Sequence, residues 1–216
     1  MSRNINRREL LRWSGALLPA AAGIESLHAA ERRQEQPKNI IWMVADGMSP
    51  GVLPMGEHFS LRARGKGTIW HALGQRPEAA HALMDMASLG SIVTDSSSAS
   101  SSWSTGSRIL NGWVNMLPDG TALTPIGVLA KGQKKRVGLV TTTTVTHATP
   151  AGFAAVSRER DDEAGIAVQY LKVCDVVLGG GTMFFLPAAR RDKRDLVADY
   201  REAGFAVALT RDELQR

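Results

Sequence analysis

The sequence predicts an α/β fold, a three-layer α/β/α sandwich built around a mostly parallel central sheet. Apolar runs typical of buried parallel strands occupy residues 39–45, 137–142, 175–178 and 205–209. Helical patterns lie between these runs, and strands that alternate with helices indicate a parallel sheet covered on both faces. Polar residues follow several of the strands, at the edge where open α/β sheets bind ligands.

The composition suits one domain with a sizeable hydrophobic core. The 216 residues are 44% hydrophobic and 22% charged, and the net charge is +5. The first 30 residues carry four Arg and two Glu and so supply two of these charges. No basic stripe is interleaved with aromatic residues, so we expect no nucleic-acid partner. Cys174 is the single cysteine, which excludes an internal disulfide.

The N-terminus has the pattern of an export signal. Arg7 and Arg8 form a twin-arginine pair, and a short apolar stretch follows over residues 13–24. This stretch is shorter than the roughly 20 residues that a membrane span needs. We therefore expect a signal peptide over residues 1–30, a polar linker over 31–37, and an exported protein that is periplasmic or extracellular. The alternative is an amphipathic N-terminal helix that belongs to the fold.

Helical periodicity and start signals predict several helices after the linker. The predicted helices cover residues 69–73, 125–132, 166–172 and 196–203, and another begins after Thr210. The rest of residues 49–78 is rich in glycine and contains Pro54, a composition that indicates irregular structure.

Ser96 is the candidate nucleophile. A short β-type run over residues 90–94 ends in Asp95 and Ser96, and a stretch of small residues continues to Gly106. This order predicts a strand, a sharp turn and a tightly packed helix start. A serine at a helix N-terminus faces free backbone N–H groups and the positive end of the helix dipole, which together favour phosphate binding. The alternative is a serine-rich surface linker.

Asp46, His147 and Thr149 are candidate site residues at the ends of predicted strands, and His147 with Thr149 could serve a metal. Asp46 follows the strand at 39–45, and His147 and Thr149 follow the strand at 137–142. Because the carboxyl ends of parallel strands meet at one edge of the sheet, these residues and Ser96 can converge there. Asp46 is equally well explained as a helix N-cap, and His147 and Thr149 as the polar end of a strand.

Together these stretches resemble the alkaline phosphatase family. The resemblance is carried by residues 38–41 with 46–48, residues 93–96 with 103–106 and 111–112, residues 147–151, and the strand end at 175–181. It implies an alkaline-phosphatase-like fold that is incomplete at the C-terminus. Residues 38–216 would form the N-terminal part of the catalytic domain.

The resemblance implies a role for each matching residue in phosphate-monoester hydrolysis. Ser96 would attack phosphorus and form a phosphoseryl intermediate, activated by one of two zinc ions. Asp46 would bridge that zinc and a magnesium ion, with Thr149 as a further magnesium ligand. Asp95 would orient the arginine that grips phosphate. That arginine would be Arg160, and Arg158 is its competitor two residues away.

By the same resemblance, His147 would stand in the outer shell of the magnesium site, where family members carry Asp or His. Imidazole is a poorer magnesium partner than a carboxylate, so we expect weaker magnesium binding than in the Asp-bearing members, or a different metal. Family members are often dimers, so the resemblance allows a homodimer, although no interface is readable in the sequence.

The family's remaining zinc ligands have no match in the 216 residues, so we expect little or no phosphatase activity from this chain alone. Two alternatives stay open. One is an exported, catalytically inactive phosphate-binding module. The other is a relative of the phosphodiesterase or sulfatase type, although serine at position 96 favours monoester hydrolysis.

Overall fold

The computed structural model describes residues 38–215, so the predicted signal peptide (1–30) and linker (31–37) lie outside the described residues. No helix in the described range is both long enough and apolar enough to cross a membrane. The elements in chain order are α1 (Val52–Arg64), α2 (Ile69–Gly74), α3 (Ser96–Thr105), α4 (Ile126–Gly132), β1 (Gly138–Thr144), α5 (Ala148–Ala154), α6 (Glu163–Val173), β2 (Val176–Gly180), a 3-10 turn (Thr182–Phe184), α7 (Leu196–Glu202) and α8 (Arg211–Leu214).

Side-chain caps explain why most helices begin where they do. The capping residues are threonines and aspartates, whose side-chain oxygens accept the otherwise unpaired N–H groups of the first helical turn. They are Thr68, Asp95, Asp162, Asp195 and Thr210. The prediction that a helix begins after Thr210 is confirmed by a full capping box with Glu213.

Two helices, α1 and α5, were not predicted. Each carries a proline at its third position, Pro54 in α1 and Pro150 in α5. Proline is tolerated in the first helical turn because the N–H group that it lacks has no partner there. The expectation of irregular structure over most of residues 49–78 was therefore wrong, and so was the interpretation of residues 147–150 as a strand end.

The sheet of the described residues consists of β1 and β2, which pair in parallel with Gly138 opposite Val176 and Val140 opposite Leu178. Asp175 fixes the start of both strands, because its carboxylate accepts the Val137 N–H at 2.9 Å and the Lys131 ammonium at 2.7 Å. The hydrogen bond from Lys131, followed by that from Val137, lowers the pKa of Asp175 to about 2. Asp175 is thus a structural carboxylate and not an unpartnered surface charge.

The other predicted strands are not formed. Residues 39–45, 90–94 and 205–209 lie outside the strands of the described chain. Their side chains show why, because a strand needs a hydrogen-bonded neighbour and a buried face. Ile41 is 86% exposed and Ile92 is 93% exposed, so neither run is covered. The predicted α/β class is nevertheless confirmed, with helices and a small parallel sheet.

The core that supports the site is centred on α6. Its buried face presents Ile166, Ala167 and Tyr170, each fully buried, to α7 and the strands. Tyr200 of α7 packs on this face and donates its hydroxyl proton to the Ala167 carbonyl at 2.9 Å. Burial raises the pKa of Tyr170 well above its ordinary value, so its hydroxyl stays protonated and acts as a donor.

Helices α3 and α5 approach each other closely because small residues line their contact. The Ser100 hydroxyl donates to the Ala148 carbonyl at 3.0 Å, and a Cβ atom at Gly152 would lie 2.2 Å from that hydroxyl oxygen. Asn115 closes the other end of α5 by donating to the carbonyls of Gly152 and Ala155. The contact joins the helix of Ser96 to the helix that follows His147.

Replacing Gly152 with alanine tests this close approach. We expect Gly152→Ala to lower the free energy of unfolding by about 1–3 kcal/mol, because the methyl group forces α3 and α5 apart. Urea unfolding followed by circular dichroism measures the change. Gly132→Ala is the matched control, since nothing lies within 4 Å of its Cβ position at the end of α4. Equal stability of Gly152→Ala and wild type would contradict the tight packing.

Candidate active site

Ser96 stands at the first position of α3, directly after the N-cap Asp95. The Asp95 carboxylate accepts the Ser98 N–H at 2.8 Å, which fixes the point where the helix begins. The Ser96 side chain is half-buried, and its hydroxyl makes no hydrogen bond with another described residue. The predicted helix start is confirmed, and the surface-linker alternative is wrong.

The serines after Ser96 are structural. Most of them are buried, and they point their hydroxyls back along the helix, as Ser101 and Ser102 do toward the carbonyls of Ser97 and Ser98. Such back-bonding satisfies a polar side chain that could not otherwise be buried. The serine-rich composition is therefore a packing solution for a helix that lies against α5.

Asp95 is the centre of the hydrogen-bond network beside Ser96. Besides capping α3, its carboxylate accepts the Ser97 hydroxyl at 2.8 Å, the Gly112 N–H at 2.8 Å and the Arg160 guanidinium at 3.1 Å. Burial by itself would raise the pKa of this carboxyl group. The hydrogen bonds from Ser98, Ser97, Gly112 and Arg160 outweigh burial and hold the pKa of Asp95 below its ordinary value of 3.8.

Arg160, and not Arg158, is the arginine that lies beside Asp95. The Arg160 guanidinium donates to the Asp95 carboxylate from one nitrogen and lies 3.1 Å from the His147 Nε2 atom with another. Its backbone N–H donates to the Gly112 carbonyl at 2.7 Å. Arg158 instead stacks over the Trp113 ring at 5.1 Å from the ring centroid. Of the two candidates, Arg160 is thus the one whose guanidinium lies next to the Ser96 helix start.

Asp46 and Thr149 form a second pair. The Thr149 hydroxyl donates to the Asp46 carboxylate at 3.0 Å, although 103 residues separate them in the chain. Thr149 lies two residues after His147, in the first turn of α5. The contacts therefore link five of the predicted site residues into two neighbouring groups, Asp95 with Arg160 and His147, and Asp46 with Thr149.

The oxygen pair fits magnesium. Two ligand oxygens at adjacent corners of a magnesium octahedron, with metal–oxygen distances of about 2.1 Å, lie about 3 Å apart. The oxygens of Asp46 and Thr149 already have that separation, at 3.0 Å. The buried Nδ1 atom of His147 has no hydrogen-bond partner among the described residues. A water in the magnesium shell is a suitable partner for it.

Zinc is not satisfied by the described residues. Zinc in proteins takes three or four protein ligands, whereas Asp46 and Ser96 offer two oxygens. Residues 38–215 contain no group of three or more His, Cys, Asp or Glu side chains placed to hold a metal ion.

The family model described as "Alkaline phosphatase" matches residues 37–216.

The chain belongs to the alkaline phosphatase family.

Alkaline phosphatase of Schizosaccharomyces pombe is 31% identical over 203 residues, which are 87% of this chain and 37% of the relative. The solved Thermus thermophilus alkaline phosphatase is 41% identical with a TM-score of 0.74, over 80% of this chain and 36% of that one.

A solved variant of the TAB5 alkaline phosphatase, described with magnesium bound in its M3 site, is 28% identical with a TM-score of 0.66. The match covers 81% of this chain and 48% of that one. The chain thus spans about a third to a half of the length of the proteins that it matches. The predicted alkaline-phosphatase-like α/β fold is confirmed for the part that it spans.

Two supporting residues, Ser97 and Gly112, were missed as part of the site. The Gly112 N–H donates to both the Asp95 carboxylate and the Ser97 hydroxyl. The Asn-Gly pair at 111–112 was a visible turn signal, but only the fold shows that the turn points its N–H at Asp95. Nothing in the sequence distinguishes Ser97 from the other serines.

Replacing Asp95 with asparagine isolates the charge of this carboxylate, since asparagine also caps helices well. Because the folded-state pKa is lowered, the stability that Asp95 contributes is present above about pH 4 and is lost as the pH falls through the folded pKa. We expect Asp95→Asn to be less stable than wild type near pH 7, with a difference that narrows near pH 3. Urea unfolding at both pH values measures this.

Asp161→Asn is the control for this comparison. Its carboxylate is 95% exposed and lies 3.8 Å from the Arg160 Nε atom, so its removal should change stability little at either pH. A constant difference between Asp95→Asn and wild type across the pH range would contradict the assignment of a charged Asp95.

Proposed function

We propose that the chain binds the phosphoryl group of phosphate monoesters and supplies the nucleophile for their hydrolysis. The observation that carries this proposal is the position of the Arg160 guanidinium. It is held between the Asp95 carboxylate and the His147 ring, 3.1 Å from each, beside the helix start that bears Ser96. A planar guanidinium in that place can donate two parallel hydrogen bonds to phosphate oxygens.

In this reaction the Ser96 oxygen attacks phosphorus in line with the departing oxygen. The bond from phosphorus to the alcohol oxygen breaks, the alcohol leaves with a proton, and Ser96 becomes phosphoserine. Water then hydrolyses the phosphoserine and releases inorganic phosphate. The N-terminus of α3 favours negative charge at Ser96 and at the phosphate, because its free N–H groups and dipole face them.

Arg160 and Asp95 have different roles in binding the phosphoryl group. Arg160 neutralises charge on the equatorial phosphate oxygens as the transition state forms. Asp95 keeps the guanidinium in one orientation, so the hydrogen bonds to phosphate need no reorganisation. The Gly112 N–H and the Ser97 hydroxyl hold the Asp95 carboxylate in turn. The site is thereby organised before a substrate arrives.

Magnesium would be held by Asp46 and Thr149, with His147 in its outer shell. When bound, it would supply positive charge beside the phosphoryl group that is transferred. Asp46 contributes the carboxylate oxygen and Thr149 the neutral oxygen of this pair. His147 joins the two halves of the site, because its ring also contacts Arg160.

A phosphate-binding module is the second candidate, and the incomplete zinc site favours it for the chain by itself. The described residues fit phosphate and magnesium but not zinc. We therefore expect the 216-residue chain to bind inorganic phosphate while turning over little substrate. Membership of the alkaline phosphatase family supports phosphate-monoester hydrolysis as the activity when a full set of zinc ligands is present.

Phosphate binding separates Arg160 from Arg158. We expect Arg160→Ala to weaken binding of inorganic phosphate by at least about tenfold, since it removes charge-assisted hydrogen bonds. Arg158→Ala should leave the affinity within about twofold, because Arg158 stacks on Trp113 and leaves the Asp95 network intact. Isothermal titration of the full chain with inorganic phosphate, in the presence of magnesium, measures both.

Phosphoryl transfer to Ser96 distinguishes the two candidate functions. The chain is incubated with 4-nitrophenyl phosphate, magnesium and zinc, and peptides that contain Ser96 are examined for phosphoserine by mass spectrometry, with Ser96→Ala as the blank. Phosphoserine at this position supports hydrolysis. Phosphate binding without it supports the module. A wild-type chain that binds no phosphate would contradict both.

We further propose that the protein is exported by its N-terminal segment. Support comes from the twin-arginine pair and the short apolar stretch after it. Replacing Arg7 and Arg8 together with lysine should retain the protein in the cytoplasm, while the unchanged chain reaches the periplasm or the medium. Cell fractionation measures the distribution, and export of the double variant at the wild-type level would contradict this role.

A further inference from the structure

His147 and Thr149 lie where the connection from β1 enters α5, and several polar contacts hold the chain there. We refer to residues 144–149, from the last residue of β1 to the first turn of α5, as the β1–α5 segment. His147 contacts Arg160 and Thr149 contacts Asp46, and both residues lie at the start of the short helix α5. These contacts form only if the backbone of residues 144–149 keeps one position. The contacts of residues 144–146, which precede these two, therefore decide where they lie.

One carboxylate oxygen holds two residues of the β1–α5 segment. Oε2 of Glu163, in the first turn of α6, accepts hydrogen bonds from the hydroxyls of Thr144 and Thr146, the latter at 2.6 Å. Thr146 is fully buried, so its hydroxyl has to find a partner inside the protein. A single oxygen shared by residues 144 and 146 fixes both their separation and their orientation.

The residue between them is held from two other sides. The buried Tyr170 hydroxyl, two turns along α6 from Glu163, donates to the Val145 carbonyl at 3.0 Å. The Val145 N–H donates to the Gly180 carbonyl at the end of β2, also at 3.0 Å. Three successive residues thus have fixed polar contacts, and α6 supplies most of them. Glu163 makes the contact nearest to His147.

We propose that Glu163 is a positioning residue for the site, which sets the place of His147 and Thr149 through the hydroxyls of Thr144 and Thr146. This role rests on the proposed function, because it concerns the magnesium and phosphate ligands named there. Groups behind the direct ligands orient them, and their removal typically weakens metal binding by about 10–100-fold. Glu163 itself contacts neither Asp46 nor Thr149 among its hydrogen bonds in the described chain.

Replacing Glu163 with glutamine distinguishes a positioning role of this side chain from a role of its negative charge. The amide oxygen of glutamine can still accept both threonine hydroxyls, whereas its charge is zero. If Glu163 acts by position, Glu163→Gln keeps most of the function that Glu163→Ala loses. If Glu163 acts as a negative charge near the cation, the two variants are equally impaired.

Amide hydrogen exchange of the full chain without metal tests directly whether Glu163 holds residues 144–149 in place. We expect Glu163→Ala to speed exchange in the peptide that covers residues 144–149, since the N–H groups of Val145 and His147 lose their support. Glu163→Gln should exchange close to the wild-type rate. Glu202→Ala, at the exposed end of α7, is the matched control and should not affect this peptide.

Magnesium titration of the same proteins tests the consequence for the site. We expect Glu163→Ala to weaken magnesium affinity by about tenfold, and Glu163→Gln and Glu202→Ala by less than about twofold. Thr146→Val removes one donor of the network and should weaken affinity less than Glu163→Ala. Combined with Glu163→Ala it should add little, because both changes break the same hydrogen bond.

The two readouts keep this role distinct from the proposed function. Unchanged amide exchange in Glu163→Ala would show that Glu163 does not hold residues 144–149. Unchanged magnesium affinity in that variant would overturn its role in the site. Faster exchange in Glu163→Ala, if the wild type binds no magnesium, would support the role of Glu163 in holding these residues and contradict the magnesium site. If Glu163→Ala fails to fold, Thr146→Val takes its place with a smaller expected effect on exchange and magnesium affinity, and Glu163→Gln remains the control for charge.

Discussion

The carboxylate of Asp95 is the interaction on which the rest of the site depends. It caps α3, and so fixes where Ser96 lies, and it also orients the guanidinium of Arg160. Burial opposes its charge, but the hydrogen bonds from Ser97, Ser98, Gly112 and Arg160 outweigh burial and keep the pKa low. One ionised group therefore couples the position of Ser96, the proposed nucleophile, to the position of Arg160, the proposed phosphate-binding arginine.

This coupling requires two helices to approach more closely than ordinary side chains allow. Small residues of α3 meet Gly152 of α5, and the hydroxyls that are buried in the contact bond to nearby carbonyls. The same contact brings His147, at the N-terminus of α5, toward Arg160. The close packing of α3 and α5 therefore helps to set the geometry of the proposed phosphate site. A wider separation of the two helices would move His147 away from Arg160.

The proposed magnesium ligands depend on a different element. Helix α6 supplies none of them, yet its Glu163 and Tyr170 hold Thr146 and Val145, which precede His147. A charged hydrogen-bond network thus organises Asp95 and Arg160, whereas contacts from α6 organise the residues that lead to His147 and Thr149. His147 connects the two groups, because its ring contacts Arg160.

Local sequence chemistry determined much of this protein. A capping aspartate before a run of small residues set the start of α3 and the place of Ser96, because a helix cap depends on residues close together in the chain. Apolar runs predicted β1 and β2, but the same kind of run at 39–45 and 205–209 formed no strand, because a strand also needs a hydrogen-bonded neighbour and a buried face. The sequence did not predict α1 and α5, because each has a proline in its first turn and proline is usually a sign against helix. The resemblance already favoured Arg160 over Arg158, but only the tertiary structure placed its guanidinium beside Asp95 and brought Glu163 to Thr144 and Thr146. Those contacts join residues that are far apart in sequence and leave no periodic signal.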